Sequence, residues 1–126
     1  MKRSHFKRST PIRTKPKRNK VNAPTRADGV TGAQYMGMVA QLACAACQSR
    51  VNVQVHHCFH DRYSSHRTSD YDTIPLCEGC HQGDFDTTKL AIHRAKTQWR
   101  MKYGPDHSFI PQTRKAVQEI INRMAA

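Results

Sequence analysis

The chain has 126 residues, 21 Lys and Arg against 9 Asp and Glu, and a formal net charge of +12. At 37% apolar and 7% aromatic it can bury only a modest core, which excludes a Rossmann-type or barrel enzyme and makes a metal or disulfide brace an expectation. No run approaches the ~20 apolar residues of a membrane span, and the basic start lacks the apolar stretch of a secretory signal, so no membrane partner and a cytoplasmic location are expected.

Residues 1–30 hold ten basic residues against the single acid Asp28, a balance of +9, whereas residues 31–126 carry only +3. The cations are Lys2, Arg3, Lys7, Arg8, Arg13, Lys15, Lys17, Arg18, Lys20 and Arg26, interrupted by Pro11, Pro16 and Pro24. With isolated apolar residues and no period, the segment cannot offset its own ordering entropy and reads as a disordered basic DNA-binding arm. Such an arm binds phosphates by counterion release without reading sequence. The rival reading is a tail that aids solubility alone.

The remaining 31–126 read as one domain. A short helix is expected over Thr31–Ala43, where Tyr35, Met38, Val39 and Leu42 form an apolar stripe that would seat on the cysteine knuckle that follows. Cys44-Ala-Ala-Cys47 and Cys77-Glu-Gly-Cys80 are two C-x2-C pairs, spaced for a four-thiolate structural zinc site. Two disulfides are disfavoured by the missing signal and the odd cysteine count. The fifth thiol, Cys58, reads as a small buried hydrophobe.

Between the pairs, Val51–Val55 alternates apolar and polar as a half-buried strand running into His56-His57. A polar loop follows over residues 60–70, then a second strand over residues 72–77, where Pro75 marks an edge. Beyond Cys80-His81, Thr87 or Thr88 could cap a helix reaching about Tyr103, with Trp99 anchoring it on the hairpin. Gly104-Pro105 stops that helix. Residues 112–124 form a last amphipathic helix, with Val117, Ile120, Ile121 and Met124 on one face, expected to pack back on the domain. His5, His60, His66 and His107 read as ordinary surface histidines.

The His56-His57 strand, Ile74-Pro-Leu-Cys-Glu-Gly-Cys-His81 and the helix after them resemble the HNH nuclease superfamily, over about residues 44–104. Val55-His-His-Cys-Phe-His-Asp-Arg-Tyr63, Ala91-Ile-His-Arg94, Trp99 and Tyr103-Gly104 are similar to the phage Ref family of RecA-dependent nucleases. The resemblance implies an α+β fold, a zinc-braced ββα-metal domain with flanking helices, and metal-dependent DNA cleavage beside a RecA filament. It implies His57 as general base, and His56, His81 and His93 as ligands of one divalent ion. Imidazole ligands suit Mn or another transition ion as well as Mg. The motif's central Asn falls near Asp72, whose carboxylate could fix the hairpin loop through backbone hydrogen bonds. Arg62 joins the catalytic set, and Arg67 stands near it, as guanidinium clamps for phosphate. Solvated loop charges remain the alternative for both. The competing function is a non-catalytic zinc-finger DNA-binding protein.

Overall fold

The computed structural model describes residues 25–60 and 68–125. The nine arm cations from Lys2 to Lys20, and His5, Arg62, His66 and Arg67, lie outside the described residues. The order of elements is α1 (Gly32–Val39), β1 (Val53–His57), β2 (Thr73–Cys77), α2 (Glu78–His81), α3 (Lys96–Tyr103), a 3-10 turn (Asp106–Phe109) and α4 (Ile110–Ala125). This is a small α+β arrangement around one two-stranded sheet. No helix among the described residues is long and apolar enough to cross a membrane.

The strands are antiparallel, with Val55 opposite Pro75, His56 opposite Ile74 and His57 opposite Thr73. β1 starts two residues later than its alternation predicts, because Asn52 adopts φ +52 and breaks the extended run, leaving Val51 exposed. Asn tolerates that left-handed conformation better than most residues. Pro75 has no N–H to donate, and its carbonyl accepts from Ala45 N–H at 2.8 Å, tying the first cysteine pair to the sheet.

α1 opens with a capping box: Thr31 Oγ1 accepts from Gln34 N–H while Gln34 Oε1 accepts from Thr31 N–H. Its buried Tyr35, Met38 and Val39 meet Val117 of α4, with Leu42, Val55, Tyr71, Ile120 and Ile121 at the edges. The stripe therefore seats on α4, not on the cysteine knuckle, because α4 offers it a matching apolar face. α4 does pack back on the domain, but Met124 is 76% exposed and stands off that face. Residues 25–30, assigned to the arm by composition, lie against the same layer: Tyr71 O–H donates to Val30 O at 2.6 Å, and Arg26 reaches Gln118.

The second core joins Ile74, Leu76, Ile92 and Trp99 to four buried cysteines. Trp99 is fully buried and packs against Tyr103, Phe109 and the ring of His60, so it anchors α3 as expected. Cys58 is buried there too, its thiol pushed up by burial and by the nearby Asp106 and Asp72 carboxylates.

The helix expected from Thr87 or Thr88 starts only at Lys96. Thr88 is held by the Asp86 carboxylate through its N–H and hydroxyl. Further on, Ile92 N–H donates to Cys80 O and His93 N–H to His81 O. Those bonds pull residues 90–94 onto α2 and are incompatible with a continuous helix. Gly83 makes the return possible. Its φ is +68, and a Cβ there would lie 2.7 Å from Ala91 Cβ, so only glycine fits.

Candidate metal centres

Two clusters of ligating side chains flank α2. In the first, the sulfurs of Cys44, Cys47, Cys77 and Cys80 all lie within 4.8 Å of one another, and none is in a disulfide. Cys47 and Cys77 Sγ are 3.6 Å apart. Two thiolates on one tetrahedral zinc, each at about 2.3 Å, stand roughly 3.8 Å apart, so the quartet fits that ion. The local backbone explains the convergence: Cys47 N–H points at Cys44 Sγ at 3.5 Å, and Gln48 turns at φ +65. Lys89 Nζ lies 3.4 Å from both Cys47 and Cys77 Sγ and is pushed up by those sulfurs. Cys44 is pulled down to about 4 by the hydrogen bond from Cys80, against its burial. Cys80 is pushed up by the same bond and by burial.

The second cluster contains His56, His81 and His93, with one ring nitrogen of each within the same 4.8 Å. Strand alternation sends Gln54 and His56 to one face of β1, where both meet α2. Gln54 Oε1 accepts from His81 Nδ1 at 2.7 Å, which leaves His81 Nε2 as the lone-pair nitrogen. It faces His93 Nε2 at 3.0 Å. Two nitrogens on one ion at about 2.1 Å stand roughly 3.0 to 3.4 Å apart for ligand angles of about 90 to 109°, so the spacing suits a shared metal. His93 reaches this place from a turn rather than from the expected helix. His81 is pushed down to about 4 by burial and by the neighbouring His56 and His93, and burial likewise lowers His93. Both are neutral at pH 7, the form that binds metal.

Asp106 holds this cluster from behind. Its fully buried carboxylate accepts from His56 Nε2 at 2.9 Å, Phe59 N–H at 2.8 Å and His60 N–H at 3.2 Å. With Nε2 engaged, the nitrogen His56 offers to a metal is Nδ1, a carboxylate–histidine arrangement that fixes tautomer and ring orientation. Burial raises the Asp106 carboxyl, but the His56 and Phe59 hydrogen bonds and the nearby imidazoles outweigh it and hold it at about 2. His60 is not a surface histidine. It is buried, accepts Asp106 N–H at its Nδ1 at 2.8 Å and faces Lys96 O through Nε2. Burial lowers its pKa, so it stays neutral. His107 is 44% exposed at its side chain.

His57 leaves β1 on the opposite face and stands outside the three-histidine cluster. Its Nε2 meets Asp70 Oδ1 at 2.9 Å, and Asp70 packs so closely on the first turn of α1 that a Cβ at Gly32 would lie 2.7 Å from its Oδ2. Among the described residues, the Asp72 carboxylate pairs with Arg114 of α4. Beyond the cluster, Glu78 accepts the backbone N–H groups of Asp84, Phe85 and Asp86, and this ordered loop carries Phe85 at 92% exposure.

Asp106, His60 and Asp70 are the residues that sequence reasoning missed. Asp106 after Gly104-Pro105 signals a helix start, and nothing nearby in sequence marks its histidine partners. One cluster can thus brace the fold with a soft ion, and the other can hold an ion beside a carboxylate-bound histidine. No family model, no curated protein and no solved structure matches the chain.

Proposed function

We propose that this protein is a metal-dependent DNA endonuclease of the HNH type, phage-encoded and working in recombination beside a RecA-type filament. The observation that carries this reading is the convergence of His56, His81 and His93 at the end of β1, whose last residue is the carboxylate-held His57. His56, His81 and His93 would hold a divalent ion (Mg, Mn or another transition ion), which would supply charge to stabilise the crowded phosphate and its leaving oxygen. His57 takes the proton of the attacking water, and Asp70 orients the ring and stabilises the imidazolium that results. A phosphodiester laid across the end of β1 meets His57 on one side of the strand and the histidine cluster on the other. The cysteine quartet, with structural zinc, keeps α2 and therefore His81 in place.

The test is plasmid nicking by the purified protein in Mg or Mn, with and without a RecA filament, beside His57→Ala. Nicking is expected to fall by about 10²–10⁴-fold in the variant, with zinc content and DNA affinity unchanged. Tight binding with no cleavage under any of these conditions supports a non-catalytic zinc-finger protein instead. Filament-dependent cleavage supports the recombination role. The arm has its own test. Deleting residues 1–24 is expected to weaken DNA binding and flatten its salt dependence, measured by fluorescence anisotropy across a salt series. An unchanged slope would remove the arm as the main phosphate contact.

A further inference from the structure

A cleft of about 340 Å³ opens on the α1–α4 side of the molecule, lined by Arg26, Tyr35, Tyr71, Arg114 and Gln118. It borders the turn that holds His57: Asp70 binds the histidine, Tyr71 lines the cleft, and Asp72 pairs with Arg114. Tyr35 is 1% exposed, and its hydroxyl oxygen faces the Arg114 guanidinium, whereas its own O–H meets no acceptor among the described residues. A buried O–H without an acceptor is uncommon in a folded protein and asks for a ligand or water. Burial pushes the phenol up, with the Arg114 and Arg26 guanidiniums pulling the other way, so at neutral pH it is a hydrogen-bond donor.

The two guanidiniums are held in advance. Arg26 bonds Asp28 and Gln118 and sits 5.7 Å from the centre of the Tyr35 ring, and Arg114 bonds Asp72. A guanidinium carries five N–H donors, and each of these carboxylates engages it through one nitrogen. Both pairs are partly open to solvent, where such a contact contributes little. They position the cations without saturating them. In the sequence, the nine cations of residues 2–20 come shortly before Arg26.

We propose that this cleft docks a backbone phosphate of DNA, with Arg26 and Arg114 gripping its oxygens and the Tyr35 hydroxyl donating to a third. A planar, always-charged fork matched to phosphate oxygens is the strongest neutral-pH phosphate contact a side chain offers. The identity of the phosphate as one of DNA's rests on the reading above. The cleft then seats the strand beside the phosphate placed at His57.

The experiment measures binding of a fluorescein-labelled DNA duplex to the full chain, without added divalent metal, across a salt series. The variants are Tyr35→Phe and the charge-conserving pair Arg114→Gln with Asp72→Asn. The pair is expected to weaken binding about tenfold and to lower the salt slope by about 1, whereas diffuse electrostatics, sensing only net charge, would leave both unchanged. Tyr35→Phe is expected to weaken binding about threefold with the slope intact, because it removes a neutral donor. Zinc content and circular dichroism report folding in each variant. Unchanged affinity and slope in folded variants overturn the proposal. So does Arg114-dependent binding of inorganic phosphate, followed by NMR of the arginine Nε–H groups, when DNA affinity is unaffected by the same variants. The nicking assay on the unaltered chain judges the nuclease reading separately: cleavage with no variant effect sinks the cleft alone, and variant effects without cleavage sink the nuclease alone.

Discussion

Cys80→Ser is expected to abolish stoichiometric zinc binding and unfold the domain. The native chain should retain one zinc equivalent through dialysis, measured by inductively coupled plasma mass spectrometry. Cys80 is fully buried in the core that includes Ile74, Leu76 and Trp99, and it is one of four sulfurs within 4.8 Å. Structural zinc contributes about 10–16 kcal/mol in small domains, comparable with or above the ~5–15 kcal/mol net stability of a whole domain. A hydroxyl in place of a thiolate loses much of that and leaves three thiols facing a polar gap. Trp99 fluorescence should shift to that of a solvated indole, and excess chelator should reproduce the change in the unaltered chain. A Cys80→Ser protein that keeps its zinc and its Trp99 emission would show that the quartet is not the brace.

Asp106→Asn is expected to lower affinity at the three-histidine cluster about 10–100-fold, the usual effect of removing the carboxylate behind a ligating imidazole. The amide can still accept one hydrogen bond, but its N–H₂ must face a donor, since the carboxylate accepts from His56, Phe59 and His60. Titration with Co or Mn, followed by isothermal calorimetry, reads the affinity. Asp106→Ala goes further and leaves those donors unpaired in a dry interior, a loss of about 3–5 kcal/mol visible as a lowered denaturation midpoint. The pH dependence has a definite sign. The folded carboxyl sits at about 2, below its ordinary 3.8, so its contribution of about 2 kcal/mol is present above the unfolded value. It is lost as pH falls from about 4 towards 2, and the alanine variant should lack that acid transition. Equal metal affinity in the two chains would mean His56 needs no carboxylate to hold its ring.

What the sequence made legible is what depends on neighbours along the chain. A C-x2-C turn is local chemistry, and both pairs are found converging. The period-two run into His56 and the Cys80-His81 dipeptide likewise placed two of three clustered imidazoles. His93 joined them by a different route, because the spacing of Leu90, Ala91 and Ala95 suits a helix while two backbone bonds to α2 hold a turn instead. Local propensity yields to such long-range bonds, and nothing in the segment itself announces them. Asp106 lies 46 residues from His60 and 50 from His56, a pairing that exists only after the 3-10 turn docks beside the hairpin. Asp70 and Asp72 show the same blindness at short range. Composition marks both as loop acids, and only packing against α1 and α4 decides which one meets the histidine.

α2 is a single turn of four residues, yet it supplies Cys80 to one cluster and His81 to the other. Adjacent residues on one rigid turn cannot be repositioned independently, so the two centres form one transplantable unit. A designer grafting the histidine triad onto another hairpin would have to carry the thiolate quartet with it, and a designer removing the quartet to make a metal-lean scaffold would need a new anchor for that turn before His81 could find its partners.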